Sequence, residues 1–292
     1  MSPPSGRPLA RGTSVRDALD GAVTAIAAAG CESPRLDAEL LLAQALGVSR
    51  ERLFMAAGRD DDGLTVSGPA VRTFQDFVRR RSVEREPVAY ILGRRYFRRL
   101  ELTVDPRALI PRPETELLVE VALELAEGAR VLDVGAGSGA VALALKDERP
   151  DLDVTGSDLS EAALALARAN AERLGLDVRW LVADLLDGVG DGYDAILSNP
   201  PYVPDGEKAT LAPEILRHEP ASALFAGKDG LDAIRSLVAQ ASARSAVRLL
   251  ALEVGVEQAS VVAELMRTVG FADVRAKRDL AGIERVVAGA RA

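Results

Sequence analysis

Arg130-Val131-Leu132-Asp133-Val134-Gly135-Ala136-Gly137-Ser138-Gly139, followed by Ala140 to Lys146, is the stretch on which the reading of this chain turns. Arg130–Val134 is apolar and β-branched enough for a strand, and it runs without a spacer into a turn with glycine at every second place. The alanine-rich run from Ala140 then reads as a helix. Glycines at such a strand-to-helix turn permit positive φ and let a ligand sit against bare backbone, while the helix N-terminus favours a carboxylate. The run alone has three readings: an adenosyl-cofactor loop, a Gly-x-Gly-x-x-Gly/Ala dinucleotide fingerprint with Ala140 in its last place, and a plain tight turn.

Downstream, short apolar strands alternate with amphipathic helices: strand Asp153–Gly156, helix Glu161–Leu174, then strands at about Val178–Val182, Ala195–Leu197 and Arg248–Glu253. This alternation predicts an α/β domain with a parallel sheet flanked by helices, and Ala272–Ala276 with Arg285–Val287 reads as a terminal hairpin on the sheet edge. Two carboxylates narrow the cofactor. Asp158 closes the second strand about 20 residues after the loop, where an acidic side chain accepts ribose hydroxyls. Asp184 follows the third strand and can bond an adenine amino group, with Leu185 packing on the ring. A nicotinamide dinucleotide needs no third-strand acid of this kind, whereas a single adenosyl group does; S-adenosylmethionine is the expected cofactor, held by Gly135, Ala136, Gly137, Ser138, Gly139, Asp158, Asp184, Leu185 and Asn199.

The fourth strand delivers Ser198-Asn199-Pro200-Pro201-Tyr202 to the same carboxyl edge. Asn-Pro alone is a common turn; two prolines bracketed by Asn and an aromatic are far more specific. A planar amide or exocyclic amine is a poor nucleophile because its lone pair is delocalised. The Asn199 side-chain oxygen and the Pro200 carbonyl can accept its two hydrogens, the prolines stiffen that carbonyl, and Tyr202 supplies a flat wall. Holding both hydrogens favours pyramidalisation and aims the lone pair at a sulfonium methyl, so catalysis is mainly positioning, plus acceptor dipoles for the positive charge growing on nitrogen. Asn199, Pro200 and Tyr202 are the expected catalytic residues, and Asn199, Pro200, Pro201 and Tyr202 the substrate-holding set.

The remaining composition agrees. The 292 residues suffice for two domains, and 48% apolar against 27% charged content suits a folded chain. The net charge of -8 and a pI of about 5.0 give no general attraction for a polyanion, which argues against direct nucleic-acid binding. One cysteine, Cys31, and one histidine, His218, exclude an internal disulfide and come close to excluding a zinc site built from Cys and His, so no metal is expected; Cys31 and the lone Trp180 read as core residues, His218 as a loop side chain bonding backbone. Residues 1–13 carry no signal-peptide pattern and read as a disordered tail, and no apolar run approaches a membrane span, so a cytoplasmic protein is expected.

Residues 14–85 read as a small helical bundle: a helix capped by Ser14 and ending near Gly30, a second from Ser33-Pro34 to Gly47, a third after Ser49, and a fourth from about Ser67 to Val83. Asp60-Asp61-Asp62-Gly63 reads as a loop between the last two. Residues 86–108, with Tyr90-Ile91-Leu92-Gly93 and then Arg95 to Val104, read as a connecting strand or hairpin, leaving 109–292 for the catalytic domain.

On these residues the chain resembles one family, the peptide chain release factor glutamine methyltransferases (PrmC/HemK). Beyond Asn199–Tyr202 the resemblance is carried by Glu86-Pro87-Val88-Ala89-Tyr90-Ile91-Leu92-Gly93 with Phe97, and by Ile110-Pro111-Arg112-Pro113-Glu114-Thr115-Glu116. It continues through His218-Glu219-Pro220, Gly227-Lys228-Asp229-Gly230-Leu231, Glu253-Val254-Gly255 with Gln258, and Asp279-Leu280 with Gly282-Ile283-Glu284-Arg285. It implies a helical N-terminal domain that recognises the release factor and a class I S-adenosylmethionine-dependent methyltransferase domain, a Rossmann-like sheet with a terminal antiparallel hairpin. The implied reaction methylates N5 of the glutamine in the Gly-Gly-Gln loop of bacterial class I release factors. Arg112 and Glu114 either help close the pocket or form a structural salt bridge.

Two alternatives share the tetrapeptide: a glutamine methyltransferase of a large-subunit ribosomal protein, and an N6-adenine nucleic-acid methyltransferase. The second should carry a basic face. Arginines 79, 80, 81, 85, 94, 95, 98 and 99 are the one candidate patch, and a solvated helix end with an exposed hairpin is its blander reading. A non-catalytic binding module would have a broken glycine loop or lack Asn199, and neither is the case.

Overall fold

The computed structural model describes residues 13–57 and 64–291, and the chain divides into two compact units, Met1–Leu92 and Gly93–Ala292. The tail read over residues 1–12 and the Asp60–Gly63 loop lie outside the described residues.

The first unit is helical. Its elements are β1 (Thr13–Ser14), α1 (Val15–Ala28), α2 (Pro34–Leu46), α3 (Arg50–Ala57), β2 (Thr65–Val66), α4 (Pro69–Ser82) and α5 (Val88–Leu92). Ser14 caps α1, its Oγ accepting the Asp17 N–H at 3.0 Å; Pro34 stands in the first turn of α2, and Gly47 ends that helix in the left-handed region. Leu19, Ile26, Leu41, Leu42, Leu53 and Phe74 fill the core with Cys31. Two expectations need correction. Thr13 is not tail: it pairs with Val66 in a two-residue antiparallel ladder. Residues 88–92 are a helix rather than a strand, because the Pro87 carbonyl accepts the N–H of both Tyr90 and Ile91, starting a turn that Gly93 stops at φ 70°.

The second unit opens with an antiparallel hairpin, β3 (Arg94–Phe97) and β4 (Leu100–Thr103). There follow a 3-10 turn Pro113–Thr115, α6 (Glu116–Ala122), β5 (Arg130–Val134), α7 (Ala140–Glu148), β6 (Asp153–Asp158), α8 (Glu161–Leu174), β7 (Arg179–Val182) and β8 (Ala195–Ser198). Then come α9 (Pro213–His218), α10 (Asp232–Ser242), β9 (Leu249–Glu253), α11 (Ala259–Thr268), β10 (Asp273–Arg278) and β11 (Glu284–Ala290). Seven strands form one sheet in the order β10-β11-β9-β8-β5-β6-β7, parallel except for β11, which runs antiparallel to both its neighbours.

Successive residues of the parallel strands feed opposite faces of the sheet. Val131, Ala195, Leu197 and Ala251 join the core beneath α6 and α7, whereas Leu132, Val134, Ile196, Leu250 and Leu252 join the one beneath α10 and α11. Burial on both faces is why these strands read as unbroken apolar runs. The strand order reverses between β5 and β8, and the crevice outside the carboxyl ends of such a pair is where open α/β sheets hold ligands. No helix among the described residues is long and apolar enough to cross a membrane.

Candidate active site

A cavity of about 460 Å³ opens at that reversal point. Its floor is the turn after β5. Gly135, Gly137 and Gly139 have φ of 73°, 56° and 86°, so all three need the left-handed region. The Gly135 and Ala136 amides both donate to the Ser157 carbonyl, at 2.8 and 2.9 Å, and Gly137 donates to Asp158 Oδ2 at 2.9 Å. The turn is thus stitched to the end of β6 through its own N–H groups and offers a ligand mainly Cα surface. Gly139 departs from its expected role. It does not line the cavity; a Cβ there would stand 2.9 Å from the Trp180 ring and 3.2 Å from Ala167, so packing accounts for it.

Asp158 and Asp184 both reach the cavity, each beside an apolar neighbour, Leu159 and Leu185. Asp158 uses one oxygen on Gly137 and the other on the Ser160 N–H at 2.8 Å, leaving further lone pairs for hydroxyls. Leu159, which sequence reasoning passed over, is 64% exposed on this wall. Leu185 sits at φ 51°, a conformation costly for a leucine, in a turn closed by the Asp184–Asp187 bridge. Carboxylates paired with apolar side chains on one wall fit the ribose and purine of an adenosyl group. Asp133 lies deeper, its Oδ2 accepting the Ala142 N–H at 3.1 Å, and burial pushes its carboxyl up to about 7.

Asn199, Pro200 and Pro201 line the cavity, delivered by β8. A Cβ on Gly135 would stand 3.8 Å from the Asn199 carbonyl oxygen, so the glycine turn and the tetrapeptide share one space. Tyr202 is placed differently. It is not among the lining residues: its ring packs on the core that contains Leu252 and Val254, its hydroxyl donates to Glu253 Oε1 at 3.3 Å, and its carbonyl accepts Gln258 Nε2 at 3.0 Å. Burial, with the Glu253 carboxylate beside it, holds the phenol well above its ordinary range. Where a flat wall was expected, Tyr202 anchors the end of the tetrapeptide.

The opposite wall is the segment Arg107–Pro111 with Thr115, Pro220, Ser222 and Ala223. Neither Arg112 nor Glu114 lines the cavity. Arg112 instead donates to Glu219 Oε1 at 2.6 Å, and the other Glu219 oxygen accepts the Ile110 N–H at 3.4 Å, which ties the segment down. Thr115, Glu219 and Glu253 carried motif resemblance in the sequence but no assignable role, because each acts on a group far away in the chain. His218, expected in a loop, is the half-buried last residue of α9. Among the described residues no group of His, Cys, Asp and Glu is arranged to hold a metal ion.

Two family models match the chain, "Methyltransferase small domain" over residues 113–229 and "PrmC N-terminal domain" over residues 17–93. Among curated proteins it is 43% identical to the release factor glutamine methyltransferase of Deinococcus radiodurans, over 95% of this chain and 99% of that one. It is 40% identical to the protein of the same name from Rhodospirillum rubrum, over 94% and 84%. Among solved structures, a methyltransferase from Pyrococcus furiosus superposes with a TM-score of 0.51 at 20% identity, covering 66% of this chain and 89% of that one, a likeness of fold.

Proposed function

This chain belongs to the release factor glutamine methyltransferase family, and we propose that it methylates N5 of the glutamine in the Gly-Gly-Gln loop of bacterial class I release factors, in the cytoplasm. The observation that carries this reading is the adjacency of Asn199-Pro200 to the glycine turn: β5 and β8 pair in register, Val134 against Ser198, so their following residues open on one cavity. The cofactor is S-adenosylmethionine, which when bound supplies a methyl group activated by a positively charged sulfur. Gly135 to Ser138, Asp158, Leu159, Asp184 and Leu185 would hold it.

The rest is the work of the tetrapeptide. Asn199 Oδ1 and the Pro200 carbonyl each accept one hydrogen of the glutamine amide, which fixes the plane of the group and directs its lone pair toward the glycine turn. Both acceptors also stabilise the positive charge that grows on nitrogen as it is alkylated. The surplus proton then leaves to water, so no general base is required. The helical first unit recognises the release factor; full release-factor methylation by a chain lacking residues 1–92 would remove that role from it.

A nucleic-acid acceptor is the weaker reading, because most of the arginine stretch is paired with carboxylates. Arg79 pairs with Asp76 and Glu84, Arg80 with Glu86, Arg81 with Asp37, Arg98 with Glu120 and Glu148, and Arg99 with Asp147. Paired arginines release few counterions on meeting phosphate. The test is to offer methyl-labelled cofactor together with a release factor, large-subunit ribosomal proteins and DNA, and to map the label by mass spectrometry. Label on the release-factor glutamine is expected; label confined to a ribosomal protein or to adenine would overturn the assignment.

A further inference from the structure

Thr115 is 4% exposed, and its hydroxyl touches two groups. It lies 2.6 Å from Glu253 Oε2 and 3.1 Å from Asn199 Nδ2. Glu253, the last residue of β9, is 1% exposed and uses its other oxygen on the Tyr202 hydroxyl. These four side chains form one chain of hydrogen bonds that ends at the cavity wall.

Counting protons along that chain decides a point that shape cannot. The two ends of an asparagine amide are nearly isosteric, so packing does not distinguish them, and only hydrogen bonding sets which one faces the ligand. A threonine hydroxyl has one proton, and an ionised carboxylate can only accept. With Glu253 ionised, the Thr115 proton is committed to it, and Thr115 has only a lone pair left for Asn199. The Asn199 NH2 must then face Thr115, which leaves Oδ1 as the end available to the cavity. A reversed amide would lose the Thr115 bond and set an N–H against the N–H groups of an incoming amide.

We propose that Thr115 and Glu253 are positioning residues for the transfer: the Glu253 carboxylate, acting through the Thr115 hydroxyl, holds the acceptor end of Asn199 toward the substrate nitrogen. The proposal rests on the role of Asn199 given above. It also carries a pH dependence. The groups that face Glu253 are Thr115 and Glu114 from the segment before α6, Tyr202 from the tetrapeptide and Arg285 from β11. Burial, with Glu114 adding to it and Arg285 opposing it, pushes the carboxyl up to about 7. A protonated Glu253 can donate to Thr115, which frees the Thr115 proton and removes the preference for one amide orientation. Turnover should therefore rise with pH as Glu253 ionises.

The experiment uses the full chain, methyl-labelled cofactor and a release factor, with Thr115→Val, Thr115→Ser and Glu253→Gln. Thr115→Val should lower kcat by about tenfold or more while the KM for cofactor stays within a few-fold, and Thr115→Ser should restore most of it. Glu253→Gln should lose the rise of kcat between about pH 6 and pH 8. A Thr115→Val enzyme within twofold of wild type, a serine variant no better than the valine one, or a rise that persists in Glu253→Gln would each overturn the proposal. Should the valine variant melt early, the serine variant and the pH profile still decide. Label on a different acceptor would sink the release-factor assignment instead, since the ratios between variants can be measured on whichever acceptor is labelled.

Discussion

Asn199 and Asp158 stand on the same cavity, and substitution should separate the different roles proposed for them. In the proposed reaction Asn199 offers an acceptor to the nitrogen being alkylated, so Asn199→Ala should reduce transfer by about a hundredfold or more and leave cofactor affinity, read by calorimetry, within a few-fold. Asp158 holds the glycine turn through the Gly137 N–H and still has lone pairs for hydroxyls. Asp158→Ala leaves both unpaired, and cofactor binding should weaken by about tenfold or more; unchanged affinity would reject this site. Both candidates stand out in the sequence because their chemistry is local: an acid at a strand end, and an amide beside two prolines. Thr115, Glu219 and Glu253 were not legible as actors. Thr115 lies 84 residues from Asn199 and 138 from Glu253, and Arg112 lies 107 from Glu219, separations at which no spacing rule operates. Tyr202 shows the converse failure, since residue type suggested a wall while burial and Glu253 made it an anchor.

At the scale of elements, strands buried on both faces announced themselves as apolar runs, and glycine and proline marked most of the turns. Register and the length of edge strands depend on partners, so β10 and β11 extend beyond the residues that the sequence pattern marks, with an irregularity between Lys277 and Arg278. Five-residue α5 was misread because Tyr90 and Ile91 suit either structure, and the Pro87 carbonyl, rather than any periodicity, selects the helix. The segment before α6 has almost no regular structure, and the Arg112–Glu219 pair is one of the bonds that tie it down. Glu219 keeps 2% of its side chain in solvent and Arg112 keeps 30%. Arg112→Ala should destabilise the second unit by about 2 kcal/mol in urea unfolding, less than for a fully buried pair because Arg112 is partly solvated. A loss indistinguishable from zero would mean that this segment is held by something else.

For the molecule as a whole, two carboxyls, Asp133 and Glu253, are pushed up to about 7 by burial. A raised carboxyl binds its proton more tightly folded than unfolded. Its contribution to stability is therefore complete below the ordinary carboxylate range and is lost as pH climbs through about 7. Glu253 can account for up to about 3 kcal/mol and Asp133 for up to about 4 kcal/mol. Glu253→Gln should make the decline in unfolding free energy between about pH 4 and pH 7 roughly half as steep, with Asp133 supplying the remainder, and a decline of wild-type steepness would refute the shift. Stability and turnover thus make opposite demands on Glu253, neutral for one and ionised for the other. The close packing of Trp180 against Gly139 and Gly156 has a practical consequence of a different kind. The chain has one tryptophan, and substitution of either glycine would drive a Cβ into its ring. Every photon of indole emission therefore comes from directly beneath the turn that would hold the cofactor. The protein carries its own optical gauge of that turn, and titrating cofactor against its fluorescence would report the site without any label.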